Sequence, residues 1–269
     1  MQATEAVDPA RAAEGLAASV REAGALALSM FGTPLKNWTK GASSPVSEAD
    51  IAVDKLLRER LGEAEPGAGW LSEESVDDPA RLAARFVWIV DPIDGTRAYI
   101  AGLPEWVVSA ALVDNGRPVA GCLFAPVSGE FFAAVAGGGA TCNGAAISVS
   151  PGRELGGIRI AGPKNFLEKL PAFEPPANIV PRIPSLALRL ARVAQGTLDA
   201  TIAGGNSHDW DLAAADLLVH EAGGALTPLG GEPLTYNRPE PRHGMLVAAG
   251  RDRHAALLKL LKDQRLGSS

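Results

Sequence analysis

The chain has 269 residues, enough to bury a large core as one big domain or as two closely packed halves. Its 31 acidic residues against 25 basic ones leave a formal charge of −6. Acidity on this scale argues against the clustered basic face of a nucleic-acid binder, but not against an anionic substrate, because bound metal ions reverse the sign of the field locally. No run of about 18 or more apolar residues predicts a membrane span. The first residues, with Glu5, Asp8 and Glu14, lack the basic-then-apolar order of a secretory signal. Two cysteines, Cys122 and Cys142, make no disulfide framework in a chain this long, so free thiols in a reducing cytoplasm are the expectation.

Leu16, Val20, Ala23, Ala27 and Met30 recur at spacings of three and four, which predicts an amphipathic helix over 10–31. Residues 33–47 are polar and rich in turn formers, including Gly41 and Pro45, and predict a loop with room to move. A second helix, over 49–61, offers Ile51, Val53, Leu56, Leu57 and Leu61 as buried candidates. Strands are predicted at 86–90, 107–113 and 119–124, the last two antiparallel across the turn Asp114-Asn115-Gly116, with short strands at 131–135 and 147–149. Gly137-Gly138-Gly139 reads as a turn between strands, since the Lys-Ser/Thr of a Walker loop does not follow it.

Composition turns to loop at 151–157, and a strand at 158–161 and helices at 165–170 and 185–195 come next. A helix over 212–222 is stopped by Gly223-Gly224. A strand at 245–249 precedes a last helix over 252–261, with Asp252 as its N-cap. Two helices followed by several strands is an α+β order, unlike the βαβ alternation of a dinucleotide fold. Two halves are expected, 1–150 and 151–269.

The chemistry concentrates in Trp88-Ile89-Val90-Asp91-Pro92-Ile93-Asp94-Gly95-Thr96. An apolar strand runs into two carboxylates three residues apart. An ordinary Asp/Pro/Gly turn is one reading. The other is a metal site, because two acids at the end of an interior strand repel unless a cation is present. Such a turn presents both acids and an intervening carbonyl to a divalent ion and offers the Gly95 and Thr96 amides to an anion. Glu73 and Glu74 in Leu71-Ser72-Glu73-Glu74-Ser75 are solvated surface acids or, if a strand pairing brings one beside Asp91, further oxygen ligands. In His208-Asp209-Trp210-Asp211 either acid could cap the following helix or reach a metal, Trp210 would anchor the helix end, and His208 is structural or at a pocket rim. Asp50 opens the second helix, and capping alone would explain it. No Gly-x-Ser-x-Gly elbow or His-Glu-x-x-His motif is present.

Asp-Pro-Ile-Asp-Gly-Thr, with Ser-Glu-Glu-Ser before it and Trp-Asp-Leu-Ala-Ala-Ala after it, resembles the inositol monophosphatase-like superfamily, lithium-sensitive and magnesium-dependent phosphomonoesterases. The likeness runs from Ser-Pro-Val-Ser-Glu-Ala-Asp to the Glu-Ala-Gly-Gly that ends the late helix. It implies a layered α-β-α-β-α sandwich of the inositol monophosphatase and fructose-1,6-bisphosphatase type, with the active site between the halves. Carried over, Glu73, Asp91 and the carbonyl of Ile93 bind a first Mg²⁺. Asp91, Asp94 and Asp211 hold a second, and Glu73 shares a weaker third through water. Thr96 and Asp50 orient the attacking water, Glu73 takes part in catalysis, and the Gly95 and Thr96 amides cradle the phosphate. Lys40 falls near a loop lysine of the family, but Gly41-Ala42-Ser43-Ser44 departs from the usual shorter spacing.

Arg97, Glu105-Trp106 and the 185–196 segment look most like the 3′(2′),5′-bisphosphate nucleotidase branch, which converts 3′-phosphoadenosine 5′-phosphate to AMP and phosphate. Arg182, Arg189 and Arg192 could meet the 5′-phosphate or simply be solvated. The alternatives are an inositol-1-monophosphatase and an inactive scaffold of the same fold. The partner implied is a small phosphorylated substrate, with no nucleic acid, and a homodimer stays open.

Overall fold

The computed structural model describes residues 9–40 and 44–263. The first apolar stripe forms α1 (Pro9–Met30), with Leu16, Val20, Ala23 and Ala27 fully buried. They share a core with Val53, Leu57 and Leu61 of the second helix. Residues 33–47 contain a hairpin where a loop is expected: β1 (Asn37–Lys40) pairs antiparallel with β2 (Ser44–Ser47). Backbone pairing needs no apolar side chains, so the polar composition hides it. Gly41, Ala42 and Ser43, which set the Lys40 spacing, lie outside the described residues.

α2 (Glu48–Ala64) starts behind Ser47, whose N–H donates to the Asp50 carboxylate in a capping box. Ile51 is 42% exposed, against the expectation that it is buried, and Leu56 is half-buried. Ile51 sits two residues from buried Val53, roughly 200° around the helix, so both cannot face one core.

Next come β3 (Gly69–Ser72), a short 3₁₀ turn Pro79–Ala83, β4 (Phe86–Asp94), α3 (Thr96–Ile100), β5 (Val107–Asp114), β6 (Arg117–Ala125), β7 (Glu130–Val135), β8 (Gly139–Cys142) and β9 (Ala145–Ala146). They build a seven-stranded sheet in chain order, antiparallel except for the parallel β3/β4 pair. The strand expected at 147–149 is absent. The Ile147 and Val149 amides donate to the carbonyls of Ala140 and Ala222 instead, and both side chains fill the core between layers, which accounts for their apolar character. Cys122 and Cys142 are free thiols.

The remainder is β10 (Arg159–Ala161), α4 (Lys164–Leu167), β11 (Asn178–Ile179), α5 (Leu186–Ala194), β12 (Ala200–Ala203), β13 (Ser207–His208), α6 (Asp209–Glu221), β14 (Gly224–Pro228), β15 (Arg242–His243), β16 (Leu246–Gly250) and α7 (Arg251–Asp263). A five-stranded mixed sheet runs in the order β11-β10-β12-β16-β14. α6 begins three residues earlier than the apolar run predicts, because His208 and Asp211 close a capping box around its polar first turn. Asp252 lies within the first turn of α7, not at its cap.

The expected five layers follow from strand alternation. Val87 and Ile89 of β4 face α5 and α6, while Trp88 and Val90 face α1 and α2. In the second sheet Leu246 and Ala248 meet the same α5/α6 layer, and Val247 and Ala249 pack against α7 and Leu167 of α4. The middle core therefore joins both sheets through α5 and α6.

Candidate active site

β4 continues past its apolar run through both acids, but with a break. Asp91 stands opposite Ser109 and Asp94 opposite Val107, so three steps on β4 match two on β5. Side chains three apart on a regular strand point to opposite faces. The extra residue of this bulge resets the alternation, and Pro92, which has no N–H to give a ladder, sits inside it. Both carboxylates can thus turn toward the layer holding α5 and α6. From there the first turn of α6 supplies Asp211, and carboxylate oxygens of Asp91, Asp94 and Asp211 lie within 4.8 Å of one another.

Asp91 is 1% and Asp94 7% exposed. One Asp91 oxygen accepts from the Ile93 amide at 3.0 Å, while Oδ2 is buried without a hydrogen-bond partner. Asp94 accepts from the Ser185 hydroxyl at 2.6 Å and from the Ala187 amide at 2.5 Å. Asp211 accepts from the His208 amide at 2.7 Å, so it caps its helix and belongs to the cluster at once. Burial first, and mutual repulsion second, push Asp91 and Asp211 well above the usual carboxylate range. Asp94 is raised by burial against the pull of Ser185 and the α5 amides.

Glu73 reaches this place through sheet pairing. Ser72 is in register with Val90, and the Glu73 amide donates to the Val90 carbonyl at 3.3 Å. Its carboxyl is raised to about 7 by burial, then by neighbouring Glu74, against the pull of Lys40. Lys40 donates to the Glu73 carbonyl at 2.9 Å and pairs with the Glu74 carboxylate, so Glu74 turns from the cluster to that ammonium.

Asp50 joins from α2. Thr96 Oγ1 lies 3.1 Å from Asp50 Oδ1 and 3.0 Å from the Ile93 carbonyl oxygen, with one proton to share between them. Ser47 donates to the other Asp50 oxygen through its amide (2.8 Å) and hydroxyl (2.6 Å), while burial raises the Asp50 carboxyl. Gly95 turns the chain from β4 into α3 at φ 101°, where an added Cβ would stand 2.9 Å from the Glu105 carbonyl oxygen. Glu73, Asp91, Ile93, Asp94, Gly95, Thr96 and Asp211 all line one cleft of about 340 Å³, with Arg97 and Arg182 on its wall.

Other candidates lie elsewhere. Asp209 is fully buried and bound to His243 Nε2 (2.7 Å) and the Asn237 amide (2.7 Å). His208 stacks on Trp210, ring centroids 4.5 Å apart. Trp106 is fully buried in an aromatic cluster with Phe31 and Tyr99, so it belongs to the core and not to a substrate pocket. Arg192, in the last turn of α5, pairs with Glu130 at 2.6 Å, while Asp94's contacts lie at the start of that helix. Sequence reasoning missed Ser185 and Ser47. Each reads as a helix cap, and Ser185 does accept from the Leu188 amide at 3.0 Å, but its reach to Asp94 has no local signal.

Several buried carboxylates in mutual repulsion, one oxygen of which has no protein partner, fit a hard divalent cation with oxygen preference, such as Mg²⁺. Similarity to known proteins points the same way. The sequence model of the Inositol monophosphatase family matches residues 8–266. An inositol-1-monophosphatase of Mesorhizobium japonicum is 34% identical over 235 residues, 83% of this chain and 85% of that protein. A 3′(2′),5′-bisphosphate nucleotidase CysQ of Aggregatibacter actinomycetemcomitans is 31% identical over 218 residues, 75% and 78% of the two chains. The crystal structure of extragenic suppressor protein suhB from Bartonella henselae superposes with a TM-score of 0.80 at 30% identity, covering 93% of this chain and 97% of that one. The fold and site define a phosphoric monoester hydrolase. This chain belongs to the inositol monophosphatase family.

Proposed function

We propose that Asp91, Asp94, Asp211, Glu73 and the Ile93 carbonyl hold two or three magnesium ions and that the cleft hydrolyses a small phosphate monoester with water. The observation that carries this reading is the cluster of three carboxylates within 4.8 Å, with Asp91 Oδ2 buried and unpartnered. Bound there, magnesium would lower the pKa of a coordinated water and offset charge on the phosphoryl oxygens. The Thr96 hydroxyl orients the attacking water and passes its proton load to Asp50, whose raised pKa suits a general base. The Gly95 and Thr96 amides hold the phosphate where the chain turns into α3. Ser185 and the Ala187 amide keep Asp94 in one rotamer toward the ions.

For substrate, the residues around Arg97 and Glu105 favour 3′-phosphoadenosine 5′-phosphate, cleaved to AMP and phosphate. Inositol 1-phosphate is the second reading. It is supported by the likeness to the inositol-1-monophosphatase of Mesorhizobium japonicum, 34% identical over 235 residues. Millimolar lithium inhibits in either case.

Asp91→Asn should lower turnover at saturating magnesium by at least about a hundredfold while the circular dichroism melt stays cooperative. Near-normal turnover by the folded variant overturns the assignment. Rates for adenosine 3′,5′-bisphosphate and inositol 1-phosphate, measured side by side, decide the substrate. At least about a tenfold higher kcat/KM for the bisphosphate is expected.

A further inference from the structure

Asp54 lies one turn beyond Asp50 on α2 and is 9% exposed, yet it does not line the catalytic cleft. A carboxylate shielded to this degree is costly unless its oxygens find donors. Ser72 Oγ donates to Asp54 Oδ1 at 2.5 Å, and Ser75 Oγ donates to Oδ2 at 2.7 Å. These two serines bracket Glu73 and Glu74. The direction of each bond is fixed by what the hydroxyls accept. The Glu74 amide donates to Ser72 Oγ at 3.3 Å, and the Trp70 indole N–H to Ser75 Oγ at 3.1 Å. Each hydroxyl has a single proton to give, and Asp54 takes both. Backbone pairing with Val90 places the Glu73 amide, and the two hydroxyl bonds restrain the bend on either side of it.

We propose that Asp54 is a positioning residue for Glu73: it ties both ends of the 72–75 bend to α2 and so holds the Glu73 carboxyl in the cleft. A glutamate on a free bend must be ordered at the moment a cation binds, at an entropic cost. A bend already tied down leaves less to order. Outer partners that orient a metal ligand are typically worth about ten- to a hundredfold in metal affinity or activity. The tie also couples two parts of the site, because the helix that presents Asp50 to Thr96 then sets the place of Glu73 as well. Asp54 acts through Glu73 and is not itself one of the reacting groups. The inference rests on the reading of Glu73 as a magnesium ligand.

Calorimetric magnesium titration in a double-mutant cycle tests it. Asp54→Asn keeps the size of the side chain but turns one acceptor oxygen into a donor, so one serine proton loses its acceptor. Magnesium binding should weaken by about tenfold. In the Glu73→Ala background, left with Asp91, Asp94 and Asp211, Asp54→Asn should change the affinity by less than about twofold. Equal weakening in both backgrounds means a general loosening of the fold and overturns the proposal. So does wild-type affinity in folded Asp54→Asn. Hydrolysis of p-nitrophenyl phosphate by Asp54→Asn should need about tenfold more magnesium for its half-maximal rate, with the saturated rate lowered by a few fold at most. Hydrogen exchange of the metal-free protein reads the tie directly. The 73–76 amides should exchange about tenfold faster in Asp54→Asn, while those of β4 and α1 keep wild-type rates. Unchanged exchange across 73–76 overturns the tie. Ser75→Ala, which removes one of the two bonds, serves if the Asp54 variant does not fold, with an expected loss of about threefold in magnesium affinity. A wild type that binds magnesium but hydrolyses no phosphomonoester removes the phosphatase reading, and the magnesium cycle still decides on Asp54. A wild type that binds no magnesium removes the metal reading of Glu73 instead, and hydrogen exchange decides on the tie.

Discussion

Asp50 is placed to serve both a helix cap and the proposed chemistry with Thr96. Asp50 closes the α2 capping box through Ser47, and its second oxygen still reaches Thr96 Oγ1 at 3.1 Å. Under the proposed mechanism Thr96→Ala removes the hydroxyl that would orient the nucleophile, but no carboxylate. Turnover should fall by about a hundredfold or more, with magnesium affinity within about threefold of wild type. Saturated rates and calorimetric magnesium titration on the same variant check this; lost affinity with unchanged turnover would give Thr96 a structural role. Glu73 makes a separate prediction. Its carboxyl is raised from 4.5 to about 7 in the folded protein, burial being the main cause. The unfolded chain therefore loses this proton first as pH rises. The group's stabilising contribution is full below about 4.5, declines between there and about 7, and then levels off. In chelator, the melting temperature of the wild type relative to Glu73→Gln should drop across that window. Saturating magnesium should flatten the profile, and magnesium binding near neutral pH should release protons, measurable in buffers of different ionisation enthalpy. A pH-independent difference between the two proteins would contradict the assignment.

At the scale of elements, the site is made from ends and irregularities: a bulge in β4, the turn at Gly95, and the first turns of α2, α5 and α6. Each regular neighbour is tightly packed, and each end leaves backbone groups or polar side chains free to point elsewhere. Gly95 shows how little tolerance the turn has. Its φ of 101°, and the 2.9 Å that would separate an added Cβ from the Glu105 carbonyl oxygen, leave no room for a side chain. Gly95→Ala should cost about 1–3 kcal/mol of stability, seen in urea denaturation. It should also lower turnover even where the protein remains folded, because Asp94 and Thr96 flank the distorted residue. Wild-type stability in this variant would mean that the turn relaxes freely.

For the whole molecule, the question is how Asp211 comes to meet Asp91 across about 120 residues of chain. The middle core sets α6 on the inner face of the first sheet, and Gly121 of β6 allows the close approach. A Cβ there would stand 3.0 Å from Ala214 Cα and 3.2 Å from its carbonyl oxygen. Gly121→Val should push α6 outward, lower the melting temperature and weaken magnesium binding by about tenfold or more, although neither Gly121 nor Ala214 lines the cleft. Unchanged magnesium affinity in a destabilised Gly121→Val would show that the first turn of α6 keeps its place independently of this contact.

Much of this was legible in the residues themselves. Helical spacing of Leu16, Val20, Ala23 and Ala27, strand runs ended by turns, and the Asp-Pro-Ile-Asp-Gly-Thr string are local patterns, and local backbone preferences act over a few residues. They marked the α+β order and the family, together with most of the acids that meet in the cleft. The rest depended on side chains far apart in sequence. Polar composition concealed the 33–47 hairpin, because its ladder is made by backbone groups. Apolar Ile147 and Val149 suggested a strand where core filling was the cause. Nothing local told that Trp106 is core, and Arg189, for which solvation was one reading, is buried. Chain pattern determined which elements form. Packing of the layers decided which of their polar side chains are driven out of water together, and burial in company is what changes a carboxylate's or a guanidinium's chemistry.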